Sequence, residues 1–442
     1  MRPISRRLML GGSTVLAVAA TLAACSNGSS SGSENGVYLL NFKPEAEEAL
    51  KTIASAYKDK TGVEVKIVTA ASGTYQQTLQ TEVAKSNPPT IFNINGPVGL
   101  ATWKDYALDL SETEFVKALT DTSMALTDED GVVYGSPLGI EGYGLIYNAA
   151  ILNKYFALEG AKAASVDEIK DFAKLKEVVE DMQARKADLG IEGAFACTSL
   201  SSGEDWRWQT HLANYPVFYE FRDKGVTDAK EIALTYSDNY KQIFDLYLNN
   251  STVAPSAAAA KTVTDSMADF ALGKCAFVQN GNWAWSQISE VEGNTVAEGD
   301  IHFMPIYIGV SGEEKSGIAL GTENYLAVNS QVSETAQKAS IDFLTWLLTG
   351  EGAKMLVDNS VVSVSPYPAF SELTPADPLG KETAQFLANK ELYPINWVFQ
   401  TFPSQEFKNQ LGSHLAQYAS GKEDWSAVKE YFVSTWKSEK SA

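Results

Sequence analysis

The stretch from residue 37 to 68 most constrains what this chain can fold into. VYLLNF (37–42) carries no charge and reads as a short strand buried on both faces. Pro44 then opens a helix whose first turn holds Glu45, Glu47 and Glu48, acids that suit the positive end of a helix dipole. Ala46, Leu50, Ile53, Ala54 and Tyr57 recur at helical spacing, Lys58 and Lys60 fall in the last turn, and Gly62 supplies the stop. VEVKIV (63–68) alternates Val63, Val65 and Ile67 against Glu64 and Lys66, the period of a strand. Two neighbouring strands joined through a helix run parallel, so this unit commits the chain to an α/β fold.

The same alternation continues. A helix with Tyr75, Leu79 and Val83 on one face ends at Pro88 and Pro89, and TIFNIN (90–95) is the next strand. Ser165 and Glu168 have capping-box spacing and predict a long helix with Ile169, Phe172, Leu175, Val179 and Met182 on its core face, closed by Gly190. IEGAFAC (191–197), CAFV (275–278), IHFMPIYI (301–308) and NYLAVN (324–329) read as later strands, alternating with helices near 237–250, 262–272 and 333–348. The chain has 442 residues, beyond the roughly 250–300 at which a single core stops growing, which implies two or more lobes. Open α/β sheets bind ligands outside the carboxyl ends of their strands. That rule makes Lys43, Asn95 and the segment around Glu323 candidate binding positions.

The first 36 residues do not belong to this pattern. Arg2, Arg6 and Arg7 precede an uncharged, mostly apolar stretch from residue 8 to 24, the layout of an export signal and short for a membrane span. Leu22-Ala23-Ala24-Cys25 resembles the bacterial lipobox, which implies cleavage after residue 24 and a diacylated Cys25. Whether export follows the general or the twin-arginine route is open. Residues 26–36 are Ser, Gly, Asn and Glu, a tether reaching on the order of 15–20 Å. Gly28-Ser29-Ser30-Ser31-Gly32 within it matches a nucleophile-elbow pattern but has no strand before it and no helix after it. The expectation is a body held by lipid at the extracytoplasmic face of a bacterial membrane.

Charge and composition narrow the function. With 35 basic and 55 acidic side chains the formal charge is −20, so nucleic acid is an unsuitable partner. The three histidines (His211, His302, His414) are scattered, and phosphate-loop, zincin and dinucleotide motifs are absent from the sequence, so neither metal nor cofactor is expected. Cys197 and Cys275 either pair or are small buried side chains, the second being usual in a body of this size. The informative signal is aromatic. Asp205-Trp206-Arg207-Trp208 and Gly281-Asn282-Trp283-Ala284-Trp285 mix flat rings with acids, amides and a guanidinium. Sugar rings offer apolar C–H faces and hydroxyls, which want that mixture. In each cluster one tryptophan is expected in the core and one at a cleft.

Several segments in order, TGVEV (61–65), VYGSPLGIEGYGLIYN (133–148), VQNGNWAW (278–285), GTENYLAVN (321–329) and AQKASIDFLTWLLTGEGAKML (336–356), resemble the carbohydrate-binding solute-binding proteins of ABC importers, the maltose-binding-protein type. The resemblance implies a periplasmic-binding-protein-like fold of two α/β lobes with a hinge and an interlobe ligand cleft. It implies a first lobe of about 37–140 and 322–395, and a second of about 141–321 and 396–442. It implies that Glu141 accepts from sugar hydroxyls, that Trp283 stacks on a ring, and that Trp206 forms a second platform beside Asp205. Lys43, Asn95 and Glu323 then orient the ligand from the loop ends, and Trp397 or Phe402 stands in place of the family's C-terminal platform. The expected partners are an oligosaccharide and a membrane permease, for a monomer that performs no bond chemistry. The rival is a surface-anchored glycoside hydrolase using Glu141 with another acid.

Overall fold

The computed structural model describes residues 36–71 and 73–441. The leader, Cys25 and nearly all of the tether lie outside the described residues.

Two sheets organise the chain. The first contains β1 (Val37–Asn41), β2 (Val65–Thr69), β3 (Ile91–Asn95), β4 (Leu126–Thr127), β5 (Val133–Pro137) and β10 (Asn324–Val328), in the order β2-β1-β3-β10-β5-β4. The second contains β6 (Glu141–Asn148), β7 (Phe277–Gly281), β8 (Ile301–Met304), β9 (Ser316–Gly321) and β11 (Tyr393–Asn396), in the order β11-β9-β6-β7 with β8 also on β6. The opening unit forms as its pattern predicts: β1 pairs in parallel with β2 from Val37↔Val65 to Asn41↔Thr69, with the helix Glu47–Thr61 between them. β1 is buried at every position, which explains why it reads as an unbroken apolar run.

The two sheets are joined by three segments that lie together. The first is residues 138–140 between β5 and β6, and the second is Thr322-Glu323 between β9 and β10. Ile140 also bridges Val364 of the first lobe, with Ile140 N donating to Val364 O at 2.8 Å, and the third segment follows that stretch of chain. After Phe370, which packs in the core under the first sheet, the chain passes to Leu379, which packs with Ile318 and Leu320 of the second. The sequence reading kept residues up to 395 in the first lobe. The parallel pairing of β11 with β9 and the packing of the helix Pro378–Ala388 put that segment in the second lobe. The C-terminal helices Gln405–Ala419 and Trp425–Lys440 complete the second lobe's core through Phe407, Leu411, Leu415, Phe432 and Trp436.

Other departures have local causes. The long helix begins at Phe172, not at the Ser165 box, because Asp171 takes the cap and accepts from Lys174 N at 2.8 Å. Ser165 opens only the short turn Val166–Glu168, and Glu168 reaches back to Ala164 N at 3.0 Å. Residues 191–197 make isolated bridges through Phe195 instead of a strand. β8 stops at Met304, before Pro305, whose missing N–H cannot extend the ladder. Cys197 and Cys275 are both free and buried.

Candidate functional site

The site is the seam where the three connecting segments bring the sheets together. On the first lobe's side, Asn41 ends β1 and fixes the turn after it: its Oδ1 accepts from Lys43 N at 3.0 Å and its Nδ2 donates to Lys43 O at 2.6 Å. That turn aims Lys43 at Glu141, the first residue of β6, with which it forms an ion pair, and leaves Glu45 4.0 Å from its ammonium. Burial works against the Lys43 charge, yet Glu141 and Glu45 outweigh it and hold the ammonium above the usual lysine range. Asn95 ends β3 opposite Asn324, and Gly96 N donates to Glu323 O at 3.1 Å. The Glu323 carboxyl is pushed up by burial, against the opposing pull of Lys408 and the Asn95 side chain.

The second lobe supplies an aromatic wall. Trp283 follows β7 at the residue after Asn282, and its ring folds back over Gly281, where a Cβ would collide with it. It lies 6.0 Å from Trp206 and 6.4 Å from Trp397, centroid to centroid. His211 joins the same cluster, 5.6 Å from Trp283, and stacks on Tyr143 at 4.1 Å with planes 8° apart. Burial holds the His211 imidazole well below its usual range, assisted by Arg207 and Lys408, so the ring is neutral. His211 and Arg207 sit on a π-helical turn, Arg207–Leu212, a geometry common where side chains must be re-aimed toward a site.

Some of the buried polar atoms left without a partner lie here, while others, such as those of Tyr247 and Trp346, lie elsewhere. Arg207 Nη1, His211 Nδ1, Trp283 Nε1, Trp397 Nε1 and Asn324 Oδ1 are all buried without a hydrogen-bond partner. Buried polar groups are normally satisfied, so a set of them along one seam marks a surface made for something else to bond. Beside the connecting segments a narrow crevice is lined by Lys43, Ile140, Glu141, Asn282, Thr322 and Asn324.

Seven of the eight sequence-predicted residues border this seam: Lys43, Asn95, Glu141, Trp206, Trp283, Glu323 and Trp397. Asp205 is the exception. Its carboxylate packs against the backbone at Gly412 of the helix Gln405–Ala419, and burial pushes its pKa up to about 6. Of the two candidates for the last platform, Trp397 adjoins Trp283, whereas Phe402 is fully enclosed among Phe407, Phe432 and Trp436. In the two tryptophan clusters, Trp208 is in the core, and Trp285 is half-buried against the smaller apolar cluster of Ala284 and Ile288. Sequence reasoning missed Arg207, His211 and Lys408. Arg207 stood inside a quoted motif, but nothing in the spacing showed that its turn is π-helical.

Two α/β lobes joined by three adjacent segments, with opposed polar and aromatic walls at the junction, make a hinged binding protein. The chain belongs to the bacterial extracellular solute-binding proteins, whose family profile matches residues 52–382. Solved structures of the same fold include a chitin oligosaccharide binding protein (17% identity, TM-score 0.72, covering 92% of this chain and 99% of that one). They also include a solute-binding protein in complex with raffinose (16%, 0.69, 92% and 99%) and a sugar transporter protein from Bacillus licheniformis with stachyose (18%, 0.63, 91% and 100%). No curated protein sequence matches the chain.

Proposed function

We propose that this protein captures an oligosaccharide between its lobes and delivers it to an ABC permease, working as a monomer held to the outer face of the membrane by lipid on Cys25. The observation that carries the reading is the mixture at the seam: the half-buried indoles of Trp206 and Trp283 and the Glu141 carboxylate from the second lobe meet Lys43 and Asn95 from the first, with Glu323 on a connecting segment. Trp283 and Trp206 stack on sugar rings, Glu141 accepts from hydroxyls, and Lys43, Asn95 and Glu323 orient the ligand from the strand ends. Trp397 backs Trp283 from behind. The sugars in the structural relatives, a chitin oligosaccharide, raffinose and stachyose, support a ligand of several rings. The crevice is small for such a ligand, so capture requires the lobes to part about the connecting segments, a hinge motion.

The hydrolase reading finds no support: the family is one of binding proteins, and Glu141 is engaged by the Lys43 ammonium. A glycan array followed by calorimetry on the best hits tests the proposal. Binding of an oligosaccharide that is recovered intact after a day of incubation is the expected result. Turnover of that sugar, lost in Glu141→Gln, would reinstate the hydrolase.

A further inference from the structure

We infer that Arg207 is a positioning residue for the aromatic wall: its guanidinium, held by Asn280, fixes the Trp206 indole and ties it to the strand end that carries Trp283. The inference rests on the oligosaccharide reading above. Arg207 is 1% exposed, and its Nη1 is buried with no hydrogen-bond partner. A buried charge normally has a counter-charge, yet Arg207 forms no ion pair among the described residues. What holds it is neutral. The guanidinium carbon lies 3.9 Å from the centroid of the Trp206 ring, and Nε donates to Asn280 Oδ1 at 3.1 Å. A cation over an indole face is attracted by the ring's quadrupole, most strongly where water is excluded.

Sequence neighbourhood does not produce this contact. Consecutive side chains on a helix diverge and do not face each other, so Arg207 folds back over Trp206 because something outside the turn draws it there. Strand β7 does so. Asn280 is fully buried, its Oδ1 also accepts from Gly281 N at 3.0 Å, and its Nδ2 lies 3.2 Å from Met267 Sδ. Gln279, one residue earlier, donates from Nε2 to Arg207 O at 2.8 Å. Main chain and side chain of Arg207 are thus both tied to the strand that runs on into Asn282 and Trp283. The guanidinium covers one face of Trp206 and leaves the other for a sugar ring, with the indole 6.0 Å from Trp283 and the two planes 43° apart. Arg207 needs no contact with the ligand, because it acts through Trp206.

Two measurements on the processed chain test this, one of them without a sugar. Acrylamide quenching of tryptophan fluorescence reads the indole directly. Arg207→Lys keeps the charge but loses the bond to Asn280, and it should raise quenching in the native background and leave it unchanged in a Trp206→Phe background. Calorimetry with the tightest saccharide from the array then reads binding as a double-mutant cycle. Arg207→Lys should weaken binding roughly three- to tenfold, the range set by one cation–π contact, and should cost almost nothing once Trp206→Ala is present. Asn280→Ala cuts the same tie from the other side; it should act in the same direction, and it decides the matter if Arg207→Lys fails to fold. Equal losses of affinity in both backgrounds, or quenching that does not depend on Trp206, overturns the inference. If quenching behaves as expected and no saccharide binds, Arg207 still positions Trp206 and the oligosaccharide reading falls.

Discussion

Removing the Trp283 ring in two different ways separates a binding platform from a core residue. A fully buried aromatic side chain covers about 150–250 Å², and Trp283 keeps less than about a third of its surface exposed, which leaves on the order of 50 Å² of ring for a ligand to cover. At about 25 cal/mol per Å² that is about 1–2 kcal/mol of binding, or roughly a 5- to 30-fold larger Kd for Trp283→Ala. The truncation also exposes the main core against which the ring leans, so Tm should fall by a few degrees. Gly281→Ala supplies the complementary perturbation. A Cβ there would collide with the Trp283 ring, and the backbone of β7 at that position accepts an L side chain, so the indole is displaced while every other side chain is kept. Calorimetry should then show most of the affinity loss of Trp283→Ala with an intact tryptophan. If Gly281→Ala binds normally, or Trp283→Ala binds normally and melts early, the ring is core and the aromatic wall is not the platform.

Three further outcomes are expected. Cys25→Ala should leave processed protein that washes off membranes in high salt, and retention would refute the lipid anchor. Small-angle scattering should show different radii of gyration with and without saturating sugar, and an unchanged profile on a confirmed ligand would refute hinge closure. Asp205→Asn should stabilise the protein at pH 7.5 but not at pH 4. Burial pushes the Asp205 pKa up to about 6 from the usual 3.8, so the folded protein holds this proton longer and stability is lost as pH rises across that window. Relief of about 1–2 kcal/mol is expected once both states of the wild type are ionised, and a pH-independent difference in Tm would refute the assignment.

What the sequence revealed and what it hid have different physical origins. Strand β1 was legible because it is buried at every position and reads as an unbroken apolar run, and the helix after it because Leu50, Ile53, Ala54 and Tyr57 are buried at helical spacing; local burial leaves a local pattern. β11 was not legible. YPIN is four residues with only Ile395 buried, and it becomes a strand because β9 offers it an edge more than seventy residues back in the chain. The same non-locality explains the helix start at Phe172, where two competing caps look alike in sequence and packing chose Asp171.

The site divides along the same line. Lys43, Asn95 and Glu323 could be named because strand ends are predictable and ligands gather at them. Glu141, Trp206 and Trp283 came from motif resemblance, and the structure brings them to the seam the strand ends define. Arg207 and His211 needed the fold itself. Their turn is wound as a π-helix, which places the guanidinium over Trp206 and the imidazole flat on Tyr143, and a sequence that reads RWQTHL carries no period to announce it. Arg207 and His211 thus owe their position to backbone departing from regular helix, whereas Lys408 lies on the ordinary helix Gln405–Ala419 and reaches the site only through long-range packing.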